Sequence, residues 1–355
     1  MKKLKIAVIG CGGIAKNAHF PAYEKMDEVE LVAFCDVILE RAEDAAKRFG
    51  GGLTFTDYRE VLKLEGLDAI DICTPNLYHS EIAVAALEHG LNVFCEKPDA
   101  VSVKECIRMK EAAEKSGKVL MVMRNNRYRS SSAFLKSYIK DGKMGEIYAG
   151  RCGWVRRRGI PGRGGWFTTK ALSGGGPLID LGVHMIDLSL WLMGNPKPVA
   201  VSGCTYCKFA DSQISDSVNS AYGDSVADGG IFDVEDLAMG MIRFDNGACL
   251  QIEFSWASNV EKEESFVELR GTKAGAKSSS VTGLSIYSEE YGKTVDIHPQ
   301  AGGSSVAPHE GNLRHFADVL LHGAEPMFTP DQGLDMIRIL EAMYRSAELG
   351  EEVKL

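Results

Sequence analysis

Residues 4–123 alternate short apolar runs with amphipathic stretches of helical length, and this alternation constrains the fold more than any other feature. Leu4-Lys5-Ile6-Ala7-Val8-Ile9 is apolar, partly β-branched and stopped by glycine, as a buried strand would be. A helix is expected over 14–26, a second strand over 29–35, and an alanine-rich helix over 38–49 that stops at Gly50-Gly51-Gly52. Asp57 is expected to cap a helix at 58–64. A third strand follows at 69–73, then a helix over 78–89 with Gly90 as its C-cap. A strand at 91–95, a helix at 102–116 ending on Gly117, and a last strand at 118–123 complete the unit. Strands alternating with helices imply a parallel sheet with right-handed crossovers, so an α/β, doubly wound nucleotide-binding domain is expected over 1–123.

Beyond residue 123 the pattern changes. Residues 146–155 and 237–269 read as longer strands with partial period-two alternation. Asp245-Asn246-Gly247 signals a hairpin, and Gly271-Thr272-Lys273-Ala274-Gly275 a second turn. Residues 124–355 are therefore expected to form an α+β domain on a large, mostly antiparallel open sheet, with a final helix over 332–348. The polar stretch 211–233 reads as a mobile excursion from that sheet. A length of 355 residues suits two such domains at roughly 150 residues each.

Composition narrows the class. Hydrophobic residues make up 45% and charged residues 25%, as in a folded globular chain rather than a disordered one. No apolar run approaches the length of a membrane span. Forty basic against 49 acidic residues leave a net charge of −9, which argues against nucleic-acid binding. Lys5 interrupts the apolar run after Met1-Lys2-Lys3, so a signal peptide is not expected. Nine cysteines scattered through apolar segments suit reduced thiols in the cytoplasm. Cys204 and Cys207 form a lone C-x-x-C with no second pair nearby, and no metal is expected.

Three motifs carry chemistry. Gly10-Cys11-Gly12-Gly13-Ile14-Ala15 follows a strand and opens a helix, the context that a G-x-G-x-x-A dinucleotide loop requires. Gly10 permits the tight turn, Gly12 lets backbone approach a pyrophosphate, and the helix N-terminus supplies N–H donors. Asp36, 21 residues after Ala15 and at the end of the second strand, is suited to accept from ribose hydroxyls and to repel a 2′-phosphate. NAD is thus favoured over NADP, with Arg41 as the counter-indication. Glu96-Lys97-Pro98 closes another strand, where ligands bind in open parallel sheets. Lys97 there is suited to donate to a reacting oxygen. Finally, Gly174-Gly175-Gly176-Pro177 leads into a nearly all-apolar helix over 178–193 in which Asp180, His184 and Asp187 lie along one stripe. Buried ionisable groups are costly without partners, which marks this stripe as a candidate site.

Together these motifs, with Thr74-Pro75-Asn76 and His79, resemble the Gfo/Idh/MocA family of glucose–fructose oxidoreductase and inositol 2-dehydrogenase relatives, over essentially the whole chain. The resemblance implies a Rossmann domain followed by a domain whose open sheet serves oligomerisation, as a homodimer or homotetramer. It implies NAD(P)-dependent chemistry on sugars, inositols or related polyols. Lys97 matches the lysine of the family's Glu-Lys-Pro motif, and Asp180 and His184 match its C-terminal acid and histidine. Gly10, Gly12, Gly13, Ile14, Asp36, Thr74, Pro75, Asn76, His79, Glu96, Lys97 and Trp166 are the positions where the family meets its cofactor. Arg124, Arg127, Arg156 and His309 are weaker candidates for substrate contact, and Arg156, Arg157 and Arg158 together for an anionic substrate group.

The implied reaction moves a hydride between a carbinol carbon and nicotinamide. His184 takes the hydroxyl proton, Lys97 donates to the same oxygen, and Asp180 orients the hydroxyl or the imidazole. Lys97 and His184 remain alternatives as the base. Two other readings use the same residues: an NAD-dependent glycosidase with no net redox change, and a non-catalytic sugar or nucleotide sensor.

Overall fold

The computed structural model describes residues 3–212, 230–300 and 306–355, so most of the 211–233 excursion lies outside the described residues. It contains two compact units, one of residues 1–125 with 306–337 and one of residues 126–305 with 338–355.

The first unit is built on six parallel strands: β1 (Leu4–Ile9), β2 (Val29–Cys35), β3 (Leu53–Phe55), β4 (Ala69–Ile72), β5 (Asn92–Cys95) and β6 (Leu120–Val122). Their order is β3-β2-β1-β4-β5-β6. The order reverses between β1 and β4, and ligands bind outside the strand ends at such a switch point. Strand β3 was not expected. It has three residues, none of them buried, and so lacks the apolar run by which the other strands announce themselves. The helix expected over 14–26 is a π-helical turn Ala15–His19 followed by an α-helical turn Phe20–Tyr23. Pro21 lies in the first turn of the latter, where no N–H is needed. Asp57 does cap a short helix, Tyr58–Val61, by accepting from the Arg59 N–H. Ser102 caps the helix Val103–Ser116, which Gly117 ends at φ +66°.

The single boundary expected at 123/124 differs from this division. The helix Pro308–His322, not anticipated from the sequence, inserts Leu313, Phe316, Ala317 and Val319 into the core shared by β1, β2 and Phe94. The Phe316 and Phe94 rings lie 5.3 Å apart.

The second unit carries nine strands: β7 (Ile147–Val155), β8 (Pro198–Tyr206), β9 (Leu237–Phe244), β10 (Cys249–Ser255), β11 (Glu264–Gly271), β12 (Gly275–Ser279), β13 (Gly283–Glu290), β14 (Lys293–Ile297) and β15 (Val353–Lys354). The order is β14-β13-β12-β11-β7-β10-β9-β8-β15. Strands β7 and β10 pair in parallel, and the other neighbours are antiparallel. The Asp245-Asn246-Gly247 turn joins β9 to β10, with Gly247 at φ +83°. Leu250, Ile252 and Phe254 alternate to one buried face, on which the helix Val183–Leu192 packs against β7 and β11. Gly203 and Gly240 are bare where Met343 of the helix Pro330–Leu349 presses on the same sheet, since a Cβ at either would lie within 2.5 Å of its sulfur. Among the described residues no helix is long and apolar enough to cross a membrane.

Candidate functional site

In the first unit the candidate residues gather at the switch point. Gly10 sits at φ +94°, and a Cβ there would lie 2.5 Å from the Cys73 carbonyl oxygen, so only glycine lets the β1 loop approach the β4 end. Gly12 faces open space, with nothing within 4 Å of a built Cβ. Gly13 and Ile14 lead from it into the turn that begins at the buried Ala15. Asp36 is nearly buried, its Oδ2 accepting from the Cys11 N–H and its Oδ1 from the Ile38 N–H, each at 2.9 Å. It therefore braces the glycine loop, while each oxygen keeps a lone pair for a ligand. The Thr74 hydroxyl is buried beside this loop with no protein partner. An orphaned hydroxyl, open space over Gly12 and a braced acid fit a dinucleotide.

Other predicted contacts take different roles. Pro75 and the buried Asn76 open a short turn, Asn76–Tyr78, and His79 follows it fully buried. Its Nδ1 lies 2.8 Å from the Pro98 carbonyl and its Nε2 3.0 Å from the Thr74 carbonyl. Burial holds its pKa below the ordinary value against these two bonds. His79 thus lies between two loop carbonyls, and as a neutral imidazole it donates its single N–H to one of them. The Lys97–Pro98 peptide is cis. Glu96 likewise turns inward: it is 4% exposed, its Oε1 meets His19 Nε2 at 2.8 Å, and its Oε2 accepts from the Lys97 N–H at 3.0 Å. His19 Nδ1 meets Asp71 Oδ2 at 2.7 Å, and Tyr23 donates to the same oxygen. Burial pulls the His19 imidazole pKa down, but the Asp71 charge and hydrogen bond outweigh it and leave it well above its ordinary value. Burial pushes Glu96 up, yet the hydrogen bond and charge of His19 carry it down to about 2. Cys73 Sγ is 3.4 Å from His19 Nδ1, and burial first, then the Asp71 charge, pushes its thiol up to about 12. The ligand-type atoms of His19, Asp71 and Cys73 are thus engaged with one another.

Arg124 is 3% exposed, paired with Asp99 and stacked 4.7 Å over the Phe328 ring, while its own N–H donates to Asn312. It forms a buried ion pair with Asp99. His309 is half-buried, with Nε2 3.3 Å from Asn125 Nδ2.

In the second unit the triple glycine is dictated by close approach. A Cβ on Gly175 would lie 2.0 Å from the Tyr344 hydroxyl, and one on Gly176 2.0 Å from the Glu235 carbonyl oxygen. The buried Glu235 side chain accepts from the Gly176 N–H at 2.9 Å, the Leu178 N–H at 3.1 Å and the Tyr344 hydroxyl at 3.0 Å. Burial raises its pKa against these bonds. This carboxylate receives the orphan donors where the π-helical turn Leu178–Gly182 begins, leading into Val183–Leu192. Asp180 and His184 on these segments are half-buried. Asp180 Oδ2 accepts from Trp256 Nε1 at 2.9 Å, and the His184 ring lies 6.0 Å from that of Trp154. Arg156 covers the same Trp154 ring at 5.1 Å and donates to the Gly159 carbonyl. The structure thus groups Asp180, His184, Trp154 and Arg156.

Asp187 leaves the stripe. It is buried and held by Arg127 through Nε at 2.9 Å and Nη2 at 2.6 Å. Arg127 is 2% exposed and forms a buried ion pair with Asp187. Arg157 and Arg158 bind Glu263 through their backbone N–H groups, and Arg158 donates to Ser258. Trp166 lies on a separate turn, stacked on Phe167 at 3.8 Å.

Residues 4–124 match an oxidoreductase family with an NAD-binding Rossmann fold, and residues 133–277 match the GFO/IDH/MocA C-terminal domain. The D-glucoside 3-dehydrogenase of Escherichia coli K12 is 32% identical over 99% of this chain and 97% of its own length. The chain belongs to the GFO/IDH/MocA family. Solved structures similar to it include levoglucosan dehydrogenase in complex with NADH, at TM-score 0.83 and 25% identity over 99% of each chain. GenD2 from gentamicin A biosynthesis, in complex with NAD, aligns at TM-score 0.80 and 27% identity over 100% of this chain and 97% of that one.

For this family member, sequence reasoning passed over His19, Asp71 and Glu235. A signal existed for the first two. Asp71 interrupts the apolar strand Ala69-Ile70-Asp71-Ile72, and a charge in a buried parallel strand requires a buried partner. Glu235 follows a stretch outside the described residues and carries no local pattern.

Proposed function

We propose that the protein is an NAD-dependent dehydrogenase that oxidises a carbinol carbon of a sugar, glycoside or related polyol. The observation that carries this reading is the exposure of Asp180 and His184. They are only half-buried on a helix otherwise sunk in the sheet, and their motif accompanies a braced Lys97. The family's named members add support, among them a D-glucoside 3-dehydrogenase and a levoglucosan dehydrogenase.

Nicotinamide, when bound, supplies the acceptor for the hydride leaving the carbinol carbon. Gly10, Gly12, Gly13 and Ile14 offer backbone to the pyrophosphate, Thr74 offers its orphaned hydroxyl, and Asp36 receives ribose hydroxyls. Asp36 also disfavours a 2′-phosphate, hence NAD over NADP. Lys97 donates to the reacting oxygen and favours alkoxide character. His184 takes the hydroxyl proton, for which imidazole is suited because its ordinary titration spans neutral pH. Asp180, held by Trp256, orients the substrate hydroxyl. Arg156 is a secondary candidate for sugar contact and Trp166 for the cofactor.

The nine-stranded sheet supports a homodimer or homotetramer. The helices Val183–Leu192 and Pro330–Leu349 lie on the face of Ile252 and Gly240, whereas the register puts Met239, Met241 and Phe266 on the other. Light scattering of the purified protein tests this, with a monomer contradicting it.

The functional test is reduced-nicotinamide absorbance with NAD or NADP against aldoses, glucosides, anhydrosugars and inositols. Growth of signal with NAD and one of these classes is expected. Tight NAD binding without turnover on any, or release of an aglycone with no net reduction, overturns the reading.

A further inference from the structure

Beneath Lys97 lies a row of buried ionisable groups that the proposed chemistry does not use. Asp71, His19 and Glu96 follow one another at 2.7 and 2.8 Å, and Glu96 then receives the Lys97 N–H at 3.0 Å. His19 and Asp71 are fully buried.

We propose that His19 is a positioning residue for Lys97: it holds the Glu96 carboxylate in the one orientation that fixes the Lys97 backbone, and so ties the lysine to the glycine-loop segment. The inference rests on the reading of Lys97 given above.

Both ring nitrogens of His19 face carboxylate oxygens, and only an imidazolium donates from both. Glu96 therefore has one oxygen on a cation and the other on the Lys97 N–H. Rotating its carboxylate breaks two charge-assisted bonds in a buried site. The His19 ring has little freedom either, since the Phe94 ring meets it edge-on at 6.1 Å and Cys73 Sγ flanks it. His19 ends the π-helical turn that starts at Ala15, directly after the glycine loop. Two buried carboxylates and an imidazolium are poor stabilisers compared with apolar packing of the same volume. What such a row supplies is direction, and its open end is the backbone of Lys97.

Glutamine places its amide nitrogen near the position of Nε2, so it can still donate to Glu96, whereas alanine cannot. The test is made in an Asp71→Asn background, where loss of the imidazolium leaves the row at the parent's net charge. D71N/H19Q is expected to keep kcat close to the parent, measured with NAD and methyl D-glucoside or the panel's best substrate. D71N/H19A is expected to lose roughly 10- to 100-fold in kcat through a displaced lysine. NAD dissociation constants should match in the two variants. Amide hydrogen exchange at Lys97 should accelerate only in the alanine variant, a readout that does not depend on turnover. Equal kcat and equal Lys97 exchange in the two variants overturn the inference, as does a loss confined to NAD affinity. Lys97→Ala is assayed alongside. If it loses turnover while the Gln and Ala variants agree, only the positioning role fails. If it retains turnover, the catalytic reading of Lys97 fails and the inference with it.

Discussion

The Arg127–Asp187 pair gives the sharpest stability prediction, because it turns on whether Arg127 is structural or meets substrate. The two side chains are 1% and 6% exposed, and the guanidinium engages both carboxylate oxygens at 2.6 and 2.9 Å. The Arg127 guanidinium also lies 5.9 Å over the Trp191 ring. Replacing Arg127 with Met keeps most of the volume but strands the Asp187 carboxylate in the core. Breaking one partner of such a buried pair costs about 3–5 kcal/mol. For a unit of this size each kcal/mol moves Tm by roughly 2–4 °C, so R127M should lower the transition of the second unit by roughly 6–20 °C. Replacing both partners, as in R127M/D187L, should recover most of that loss, since an apolar pair of similar volume is often neutral. Calorimetry of the three variants measures it, with KM for the sugar as the companion readout. KM near the parent's is expected in R127M molecules that remain folded. An unchanged Tm together with a large rise in KM would refute the argument and return Arg127 to the substrate.

Three further outcomes follow from the geometry. Asp36→Ala removes a charge-assisted acceptor worth about 1.5–3 kcal/mol, so NAD should bind roughly 10- to 100-fold more weakly and preference should move toward NADP; isothermal titration with both cofactors measures it, and an unchanged preference contradicts it. Gly176→Ala brings a Cβ within 2.0 Å of the Glu235 carbonyl oxygen and should lower both Tm and kcat, whereas Gly12→Ala, with open space around it, should spare Tm and weaken NAD binding. Glu96 is depressed from 4.5 to about 2, so it contributes stability above pH 4.5 that is lost as pH falls toward 2. His19 is raised above 6.5, so its contribution is complete below that pH and fades only as pH rises through its higher folded value. The stability gap between the parent and E96Q, followed by urea unfolding, should therefore be wide near pH 6 and close toward pH 2; a gap constant over that range contradicts the assignment.

The doubly wound unit was legible because its strands are apolar runs broken by glycine, and because Gly10 and Asp36 stand where a dinucleotide loop needs them. Strand β3 was not, having no apolar run, and neither was the helix Pro308–His322, whose apolar face is read only against the core it fills. Lys97, Asp180 and His184 were legible as motifs. The buried partners of Glu96, His79, Arg124 and Arg127 were not, since an ionisable residue beside a site looks the same in sequence whatever it packs against. Those partners lie far along the chain: His19 for Glu96, Pro98 for His79, Asp99 for Arg124 and Asp187 for Arg127.

Lys97 is proposed to act on the reacting oxygen of a sugar carbinol, while the glycine loop and Asp36 carry most of the NAD affinity. Lys97→Ala measures it directly, through NAD reduction under saturating sugar and, in the same preparation, NAD affinity by titration. Loss of one such donor should lower kcat by roughly 10²- to 10³-fold, with NAD affinity near the parent's. Turnover close to the parent's, at the same NAD affinity, would contradict the account.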